Sequence, residues 1–276
     1  MSRVPVYEID WLEARWRFDH EARDQGLIQH ALAFLAQSDD PHIIDLGSGY
    51  GANFRHLHPE IPYPHRWSFV ERDERLLAQS LQQIKIELAL QATNIQVEGK
   101  HHSLLDPAWM DILNPGDLVT ANAVIDILPE SEAITIFQKI LERGCAFLAT
   151  INYLDMAVFP AHPLDEKVIG WYHQHMRQVQ SGGGSMGNSW EQSLVRLRNN
   201  PQIQFLQAPS IWEIQPGDQA IQSHLLGFME EAIGEMGHSL EDSEAFQLWL
   251  THRIGALEAG KLSMRVFHQD FLALPS

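Results

Sequence analysis

The sequence predicts an α/β fold in which one domain of 276 residues is built on a doubly wound, mostly parallel sheet of seven strands. Two observations predict it. Short apolar segments alternate with segments of helical periodicity between residues 43 and 153, and a glycine-rich turn follows the first apolar segment. Strands that alternate with helices pair in parallel, because each helix carries the chain back across the sheet. We predict an N-terminal helical cap in residues 1–40 and an insertion in residues 154–200, after the fifth strand.

The spacing of apolar residues predicts the elements in order. The first helix is expected over residues 8–37 and ends before the sequence SDDP. Strands are then predicted at residues 43–46, 66–73, 95–102, 116–128 and 144–153, separated by helices at 52–58, 74–91 and 130–143. After residue 153 we predict an irregular segment that becomes helical, and then a helix at 190–198. The last predicted elements are a strand at 203–214 with a bend at Pro209, helices at 218–236 and 241–258, and a strand at 261–274.

The charge balance and the cysteine content narrow the function classes. The chain has 19 Lys and Arg against 36 Asp and Glu, so its net charge is −17 and a nucleic-acid partner is disfavoured. One cysteine excludes an intrachain disulfide, and the first residues lack the apolar core of a signal peptide. No apolar run reaches the length of a membrane helix. We therefore expect a cytoplasmic monomer or homodimer that acts on a small cationic or neutral molecule, without a membrane partner.

The glycine-rich turn is the strongest binding signal. In HIIDLGSGYGANFRHL, residues 42–57, glycines at positions 47, 49 and 51 leave the turn without Cβ atoms, so a ligand can lie against its backbone. The helix that follows adds free N–H groups at its N-terminus. A dinucleotide site is one candidate, because Gly47, Gly49 and Ala52 also satisfy the pattern G-x-G-x-x-A.

Two carboxylates favour a different ligand. Asp45 lies two residues before Gly47, where it would repel a pyrophosphate but could meet an ammonium group. Glu71 ends the second predicted strand, 71 − 45 = 26 residues later, and a carboxylate there can accept hydrogen bonds from both hydroxyls of a ribose. An ammonium group near the turn and a ribose near the second strand together describe S-adenosylmethionine (SAM).

Four segments carry a resemblance to a known family. They are IIDLGSGYG at the first strand, FVERDERLL at the second, DLVTANAVIDIL at the fourth and AFLATINY at the fifth. In order and spacing these segments resemble the class I, Rossmann-like SAM-dependent methyltransferases over roughly residues 40–153. More narrowly, the fourth-strand segment is similar to a group of bacterial small-molecule methyltransferases. The resemblance implies the Rossmann-like methyltransferase fold and SAM as the cofactor.

The resemblance also implies which residues contact the cofactor. Glu71 would bind the ribose, with Arg72 beside the adenine. Many relatives have an acid in the loop after the third strand, whereas this chain has KHHSLLD, so Ser103 or His102 would take its place. Asn122, after the fourth strand, would pass near the sulfonium. The methionine half would be held by Asp45, Gly47, Ser48, Gly49 and Gly51.

Three residues are candidates for contact with the methyl acceptor. Asp126 lies among apolar residues near the carboxyl end of the fourth strand, where ligands bind in open α/β sheets; its alternative is a cap on the next helix. Tyr153 ends the fifth strand and could orient an acceptor or cover the sulfonium, or it could only pack beneath the insertion. His173 in WYHQH could act as a general base, although a structural or solvent-facing histidine is the alternative.

Other chemistries find less support. The 15 histidines include no HExxH sequence or cysteine pair, so we expect no metal site. An NAD-linked oxidoreductase could use the same glycine turn, but Asp45 disfavours it. A SAM-binding protein without catalysis is the second alternative. The sequence therefore predicts a SAM-dependent methyltransferase for a small organic acceptor, whose nucleophile is an O, N or C atom.

Overall fold

The computed structural model describes residues 8–91, 95–178 and 184–275. Its seven strands form one sheet in the order β3-β2-β1-β4-β5-β7-β6. They are β1 (His42–Leu46), β2 (Arg66–Glu71), β3 (Gln96–His101), β4 (Leu118–Asn122), β5 (Ala146–Phe159), β6 (Ile203–Ile214) and β7 (Ser263–Pro275). The first five strands pair in parallel, and β7 lies antiparallel between β5 and β6. The predicted fold class, a doubly wound and mostly parallel sheet of seven strands, is confirmed.

Helices cover both faces of the sheet and its carboxyl edge. They are α1 (Ile9–Ala22), α2 (Gln25–Leu35), α3 (Ala52–Leu57), α4 (Glu74–Gln91), α5 (Glu130–Glu142), α6 (Asp165–Gln178), α7 (Trp190–Ser193), α8 (Val195–Arg198), α9 (Gln219–Gly234) and α10 (Leu240–Glu258). Two apolar clusters lie on the two faces of the parallel sheet. A third forms where β5, β6 and β7 extend beyond the parallel strands and α1, α6, α9 and α10 pack against them. The carboxyl edge of the parallel sheet therefore meets a second apolar core.

The prediction of one N-terminal helix over residues 8–37 is wrong. The helix is interrupted at Arg23, whose backbone is extended. Asp24 then caps α2 by accepting a hydrogen bond from the Leu27 N–H at 2.8 Å. The Asp24 N–H also donates to Asp270 on β7, at 3.2 Å. A buried carboxylate distant in the sequence thus fixes the break, and the break lets α1 cross the carboxyl edge of the sheet while α2 packs on one face.

The boundaries of β4 and β5 also differ from the prediction. β4 ends at Asn122, because Ala123 takes a left-handed backbone with φ of 54°. β5 does not end at residue 153 but continues to Phe159, because its residues beyond 153 pair with β7 as far as Ser263. Its register shifts between Ala149 and Asn152, where Ile151 has φ of 55° and donates its N–H to Asp270 at 2.7 Å. A β-branched residue rarely adopts this backbone, and the shift sets the direction of the side chains beyond it.

Candidate active site

The glycine turn between β1 and α3 has a backbone conformation that residues with a Cβ atom rarely adopt. Gly47 and Gly51 have φ of 59° and 79°, in the left-handed region that favours glycine. A Cβ on Gly47 would lie 2.8 Å from Cγ2 of Val124, which follows β4, so this turn packs directly against the next strand's carboxyl end. The structure therefore provides a cradle of bare backbone next to the start of a helix, as predicted from the sequence.

Asp45 lies beneath this turn and is almost completely buried. Its Oδ1 accepts hydrogen bonds from Asn53 Nδ2 at 2.6 Å and from Thr120 Oγ1 at 2.9 Å. Its Oδ2 has no partner among the described residues. Burial raises the pKa of the Asp45 carboxyl to about 6, because the charged form loses its hydration. A buried carboxylate oxygen without a donor is the feature that a cationic ligand would satisfy.

Glu71 braces the turn from β2. Its Oε2 accepts a hydrogen bond from the Gly49 N–H at 3.0 Å, and its Oε1 accepts the N–H groups of Arg72 at 2.8 Å and Asp73 at 3.0 Å. A carboxylate has about four acceptor positions, so one position remains on Oε2. In this arrangement Glu71 has one acceptor position left for a ribose hydroxyl, and its predicted contact with both hydroxyls stays a prediction.

The remaining cofactor candidates lie at the same edge of the sheet. Arg72 and Ser103 follow β2 and β3, which pair in parallel with Glu71 opposite His101. The Ser103 hydroxyl accepts a hydrogen bond from the Leu105 N–H at 3.2 Å, so the turn after β3 uses it locally. Ser48 is buried, and its Oγ lacks a partner among the described residues. Of these side chains, Ser48 alone keeps an unused polar group next to the glycine turn.

The N-terminal helix α1 closes over this turn through contacts that sequence reasoning did not foresee. Asp19 on α1 accepts a hydrogen bond from Asn122 Nδ2 at 2.8 Å, and Arg15 donates to both oxygens of Asp19 at 3.1 Å. A narrow cleft of about 50 Å³ remains between α1 and the turn, and Arg15, Asp19, Asp45, Gly47 and Asn122 are among the residues that line it. The sequence signal was the Arg15–Asp19 spacing, but exposed helices carry such pairs too.

Asp126 lies in a short 3-10 helix, Ile125–Ile127, rather than at the end of a strand. It is 5% exposed, and its Oδ1 has no partner among the described residues. Burial raises its pKa to about 7. The capping alternative is excluded, since α5 begins at Glu130 after Pro129 and no side chain caps its N-terminus. Asp126 is thus a buried carboxyl group with an unsatisfied oxygen and a pKa near neutrality.

Tyr153 and His173 are in contact. The sequence had indicated each of them separately and did not show this contact. The Tyr153 Oη is 2.8 Å from Nε2 of His173, across the junction of β5 and α6. Burial raises the pKa of Tyr153 well above 10, and the charges of Tyr172, Asp155 and Asp126 add to the shift. Burial lowers the pKa of His173. The structure thus joins two of the three predicted acceptor-side residues, with the third close enough to act electrostatically.

Three more residues of this region were missed in the sequence. The Arg15 guanidinium lies 5.1 Å from the ring centroid of Trp212, and the Trp212 ring lies 4.7 Å from that of His268. Trp212 Nε1 and His268 Nδ1 are buried without partners among the described residues. Burial lowers the pKa of His268 to about 3, with the Arg15 charge as the next cause. Only the pairing of β6 with β7 brings Trp212 and His268 together, so no local pattern could have shown them.

A second polar series lies at the opposite, amino end of the strands. His42 Nδ1 is 3.2 Å from Asp117 Oδ2, and His42 Nε2 is 2.8 Å from Ser68 Oγ. This order of groups is similar to that of a hydrolase triad. However, Ser68 is completely buried and its hydroxyl donates to Glu98 at 2.7 Å. A substrate could not reach the hydroxyl, so we interpret the series as a structural network.

Across residues 8–91, 95–178 and 184–275, no three His, Cys, Asp or Glu side chains are grouped so that they could hold a metal ion. Within the same ranges, no helix combines the length and the apolar character that crossing a membrane requires.

The sheet order, with an antiparallel seventh strand between the fifth and sixth, defines the Rossmann-like methyltransferase fold. A SAM-dependent methyltransferase from Thiobacillus denitrificans, solved with S-adenosyl-L-homocysteine, is similar with 14% identity, full coverage of both chains and a TM-score of 0.49. The cyclopropane synthase MmaA2 from Mycobacterium tuberculosis is similar with 13% identity, a TM-score of 0.47, and coverage of 96% of this chain and 94% of that one. No family model and no curated protein matches the chain.

Proposed function

We propose that the chain is a SAM-dependent methyltransferase that methylates an O, N or C atom of a small organic acceptor. The observation that carries the proposal is the buried Asp45 carboxyl under a left-handed glycine turn, with one oxygen lacking a partner among the described residues. SAM brings an ammonium and a sulfonium group, and both are cations that such a carboxylate attracts. The bare turn gives its methionine half room against the backbone.

The residues around the turn fit the rest of the cofactor. Two arginines, Arg15 and Arg55, line the cleft, and Arg15 suits the carboxylate of the methionine half. Asn122 lies where β4 ends, next to Asp19. Glu71 retains an acceptor position for a ribose hydroxyl, while Arg72 and Ser103 follow at the adenine side. The cleft of about 50 Å³ is far below the roughly 300–1,000 Å³ of typical ligand sites, so we expect α1 to shift when the cofactor enters.

The cofactor would supply an electrophilic methyl group on a good leaving group. The protein then has to align the acceptor and exclude water, and alignment alone can lower a barrier by about 7–11 kcal/mol. Asp126 would accept the proton that a protic acceptor loses, which its pKa of about 7 allows at neutral pH. Tyr153 and His173 would complete the wall of the acceptor pocket. We expect a general base to contribute about 10²–10⁴-fold to the rate.

The dinucleotide alternative fits the geometry less well. A pyrophosphate at the glycine turn would meet the carboxylates of Asp19, Asp45 and Glu71. Of the two arginines that line the cleft, Arg15 and Arg55, Arg15 already pairs with Asp19. Like charges at close range disfavour such a complex. The monomeric or homodimeric state, the cytoplasmic location and the absence of nucleic-acid partners stay predictions from the sequence.

Calorimetric titration of the purified protein with SAM, S-adenosylhomocysteine and NAD tests the proposal. We expect the two sulfur compounds to bind, and we expect Asp45→Asn to weaken SAM binding by at least tenfold. The control is Asp39→Asn, an exposed aspartate in the turn before β1. Binding of NAD alone would overturn the proposal. SAM binding without conversion to S-adenosylhomocysteine in the presence of cell extract would favour the non-catalytic alternative.

A further inference from the structure

Four polar side chains form a series that ends at Tyr153. Arg177 Nη1 donates to Asn188 Oδ1 at 2.6 Å, and Asn188 Nδ2 lies 3.2 Å from His173 Nδ1. His173 Nε2 lies 2.8 Å from Tyr153 Oη. Arg177 is exposed and Tyr153 is buried, so the series leads from the surface into the predicted acceptor pocket. Asn188 and Arg177 were not among the candidates selected from the sequence.

The chemistry of these groups gives the series one direction. A guanidinium only donates, so the atom of Asn188 beside Arg177 is the amide oxygen, and the amide nitrogen faces His173. An amide nitrogen also only donates, so His173 Nδ1 accepts. A neutral imidazole then carries its hydrogen on Nε2, which donates to Tyr153 Oη. An Asp155 oxygen lies 3.6 Å from the same Nε2, and this nearby carboxylate favours the tautomer with hydrogen on Nε2.

This direction leaves the hydrogen of the Tyr153 hydroxyl free to donate. Because Tyr153 Oη accepts from His173, its own O–H is not used in that contact and is available to donate. Two carboxyl groups, Asp155 and Asp126, act on Tyr153 by their charge. Asp155 is exposed, whereas Asp126 is buried and its Oδ1 has no partner among the described residues. The buried polar groups of this region therefore include one oriented donor, Tyr153, and one carboxyl group with an unused oxygen, Asp126.

We propose that Arg177, Asn188 and His173 are positioning residues that hold Tyr153 as a hydrogen-bond donor beside Asp126, and that this pair recognises a hydroxyl group as the methyl acceptor. The inference rests on the proposed function. A hydroxyl oxygen has two lone pairs and one proton, so it can accept from Tyr153, donate to Asp126 and still present a lone pair to the methyl group. A neutral amine has one lone pair, which cannot accept from Tyr153 and attack carbon together.

The step balances with these groups. The acceptor oxygen forms a bond to the methyl carbon, the carbon–sulfur bond breaks, and its electron pair stays on sulfur. The hydroxyl proton passes to the Asp126 carboxylate. Tyr153 keeps its proton throughout and fixes the acceptor oxygen. In this arrangement His173 is not a general base toward Tyr153, since its Nε2 is already protonated.

The tautomer of His173 tests the array without any substrate. We expect ¹⁵N NMR of the labelled protein at neutral pH to show His173 with hydrogen on Nε2, the resonance being identified by its loss in His173→Gln. Its neighbour on α6, His175, pairs with Glu235 at 2.9 Å, and His175→Gln is the matched control. Asn188→Ala should release the tautomer preference, whereas Asn199→Ala should not. A His173 ring with hydrogen on Nδ1 would overturn the array.

The methylated atom tests the acceptor class. The protein is incubated with ¹³C-methyl SAM and an extract of source cells that lack the gene, and the carbon shift of each labelled product gives the atom that carries the methyl. We expect an oxygen-bound methyl, lost in Tyr153→Phe but kept in the control Tyr63→Phe. A nitrogen- or carbon-bound methyl, or no oxygen-bound product although SAM binds, would overturn the inference and leave SAM binding intact. Failure to bind SAM would instead overturn the proposed function.

Discussion

Asp19 on α1 accepts a hydrogen bond from Asn122 at the end of β4, over 2.8 Å and 103 positions of sequence. The same carboxylate receives two hydrogen bonds from Arg15, and Asp19 is 1% exposed. This contact attaches the N-terminal helix to the carboxyl edge of the sheet. Because the glycine turn lies directly below, access to the proposed cofactor site depends on how firmly α1 is held.

Removing the Asp19 carboxylate should destabilise the fold. Asp19→Ala leaves the largely buried Arg15 without its partner, and breaking a buried pair in this way costs about 3–5 kcal/mol. Arg17 on the same helix makes an exposed ion pair with Asp218, so Arg17→Ala should cost less than about 1 kcal/mol. Urea denaturation of both variants measures the difference. Equal losses would mean that α1 is not held by the Asp19 contacts.

Replacing Asp126 should separate stability from activity. Its pKa is raised to about 7 from an ordinary value near 3.8, so the folded state favours the protonated form. The stabilisation is therefore complete below the ordinary pKa and is lost as pH rises through about 7. Asp126→Asn removes this loss, so at about pH 8 the variant should be the more stable protein, by a few kcal/mol at most, with little difference at about pH 4.

The same Asp126 variant should lose about 10²–10⁴-fold in methyl transfer to a protic acceptor. Stability is measured by urea denaturation at the two pH values, with the exposed Asp111→Asn as the control. A variant that is less stable than the wild type at high pH, or that retains full turnover, would contradict the assignment of Asp126 as a buried functional carboxyl group.

Two glycines can separate backbone strain from crowding. Gly260 has φ of 61° with open space around a Cβ, whereas Gly47 has φ of 59° and a Cβ would meet Val124 at 2.8 Å. Gly260→Ala should cost about 1–2 kcal/mol from the left-handed backbone. Gly47→Ala should cost more than that and should also weaken SAM binding, which thermal denaturation and calorimetry measure. If Gly47→Ala binds SAM normally, the turn is not the cofactor cradle.

His268 should make the protein sensitive to acid. Burial lowers its pKa to about 3 from an ordinary value of 6.5, so the folded state opposes protonation. Its stabilising contribution is present above the ordinary pKa and is lost as pH falls through the window from about 6.5 to about 3. His268→Gln should therefore lose less stability than the wild type between about pH 7 and pH 4. Parallel stability curves for the two proteins would refute the prediction, and the exposed His30→Gln is the control.

The sequence by itself determined the α/β class, the seven strands and the glycine turn with Asp45. Those features depend on local periodicity and on the conformational freedom of glycine, which act within a few residues. Its errors have one source. The break at Arg23 and the extension of β5 to Phe159 depend on Asp270 and on pairing with β7, more than a hundred residues away.

The contacts of the site were likewise decided by the tertiary structure. Their positions after predicted strands and in the insertion were enough to select Asp126, Tyr153 and His173. The sequence did not show how these three residues are arranged relative to one another. Asp19 contacts Asn122, Asn188 contacts His173 and Trp212 contacts His268 only after the sheet and the helices packed on it have formed. Hydrogen-bond direction and desolvation depend on distances between atoms in the folded chain, and sequence spacing does not contain those distances.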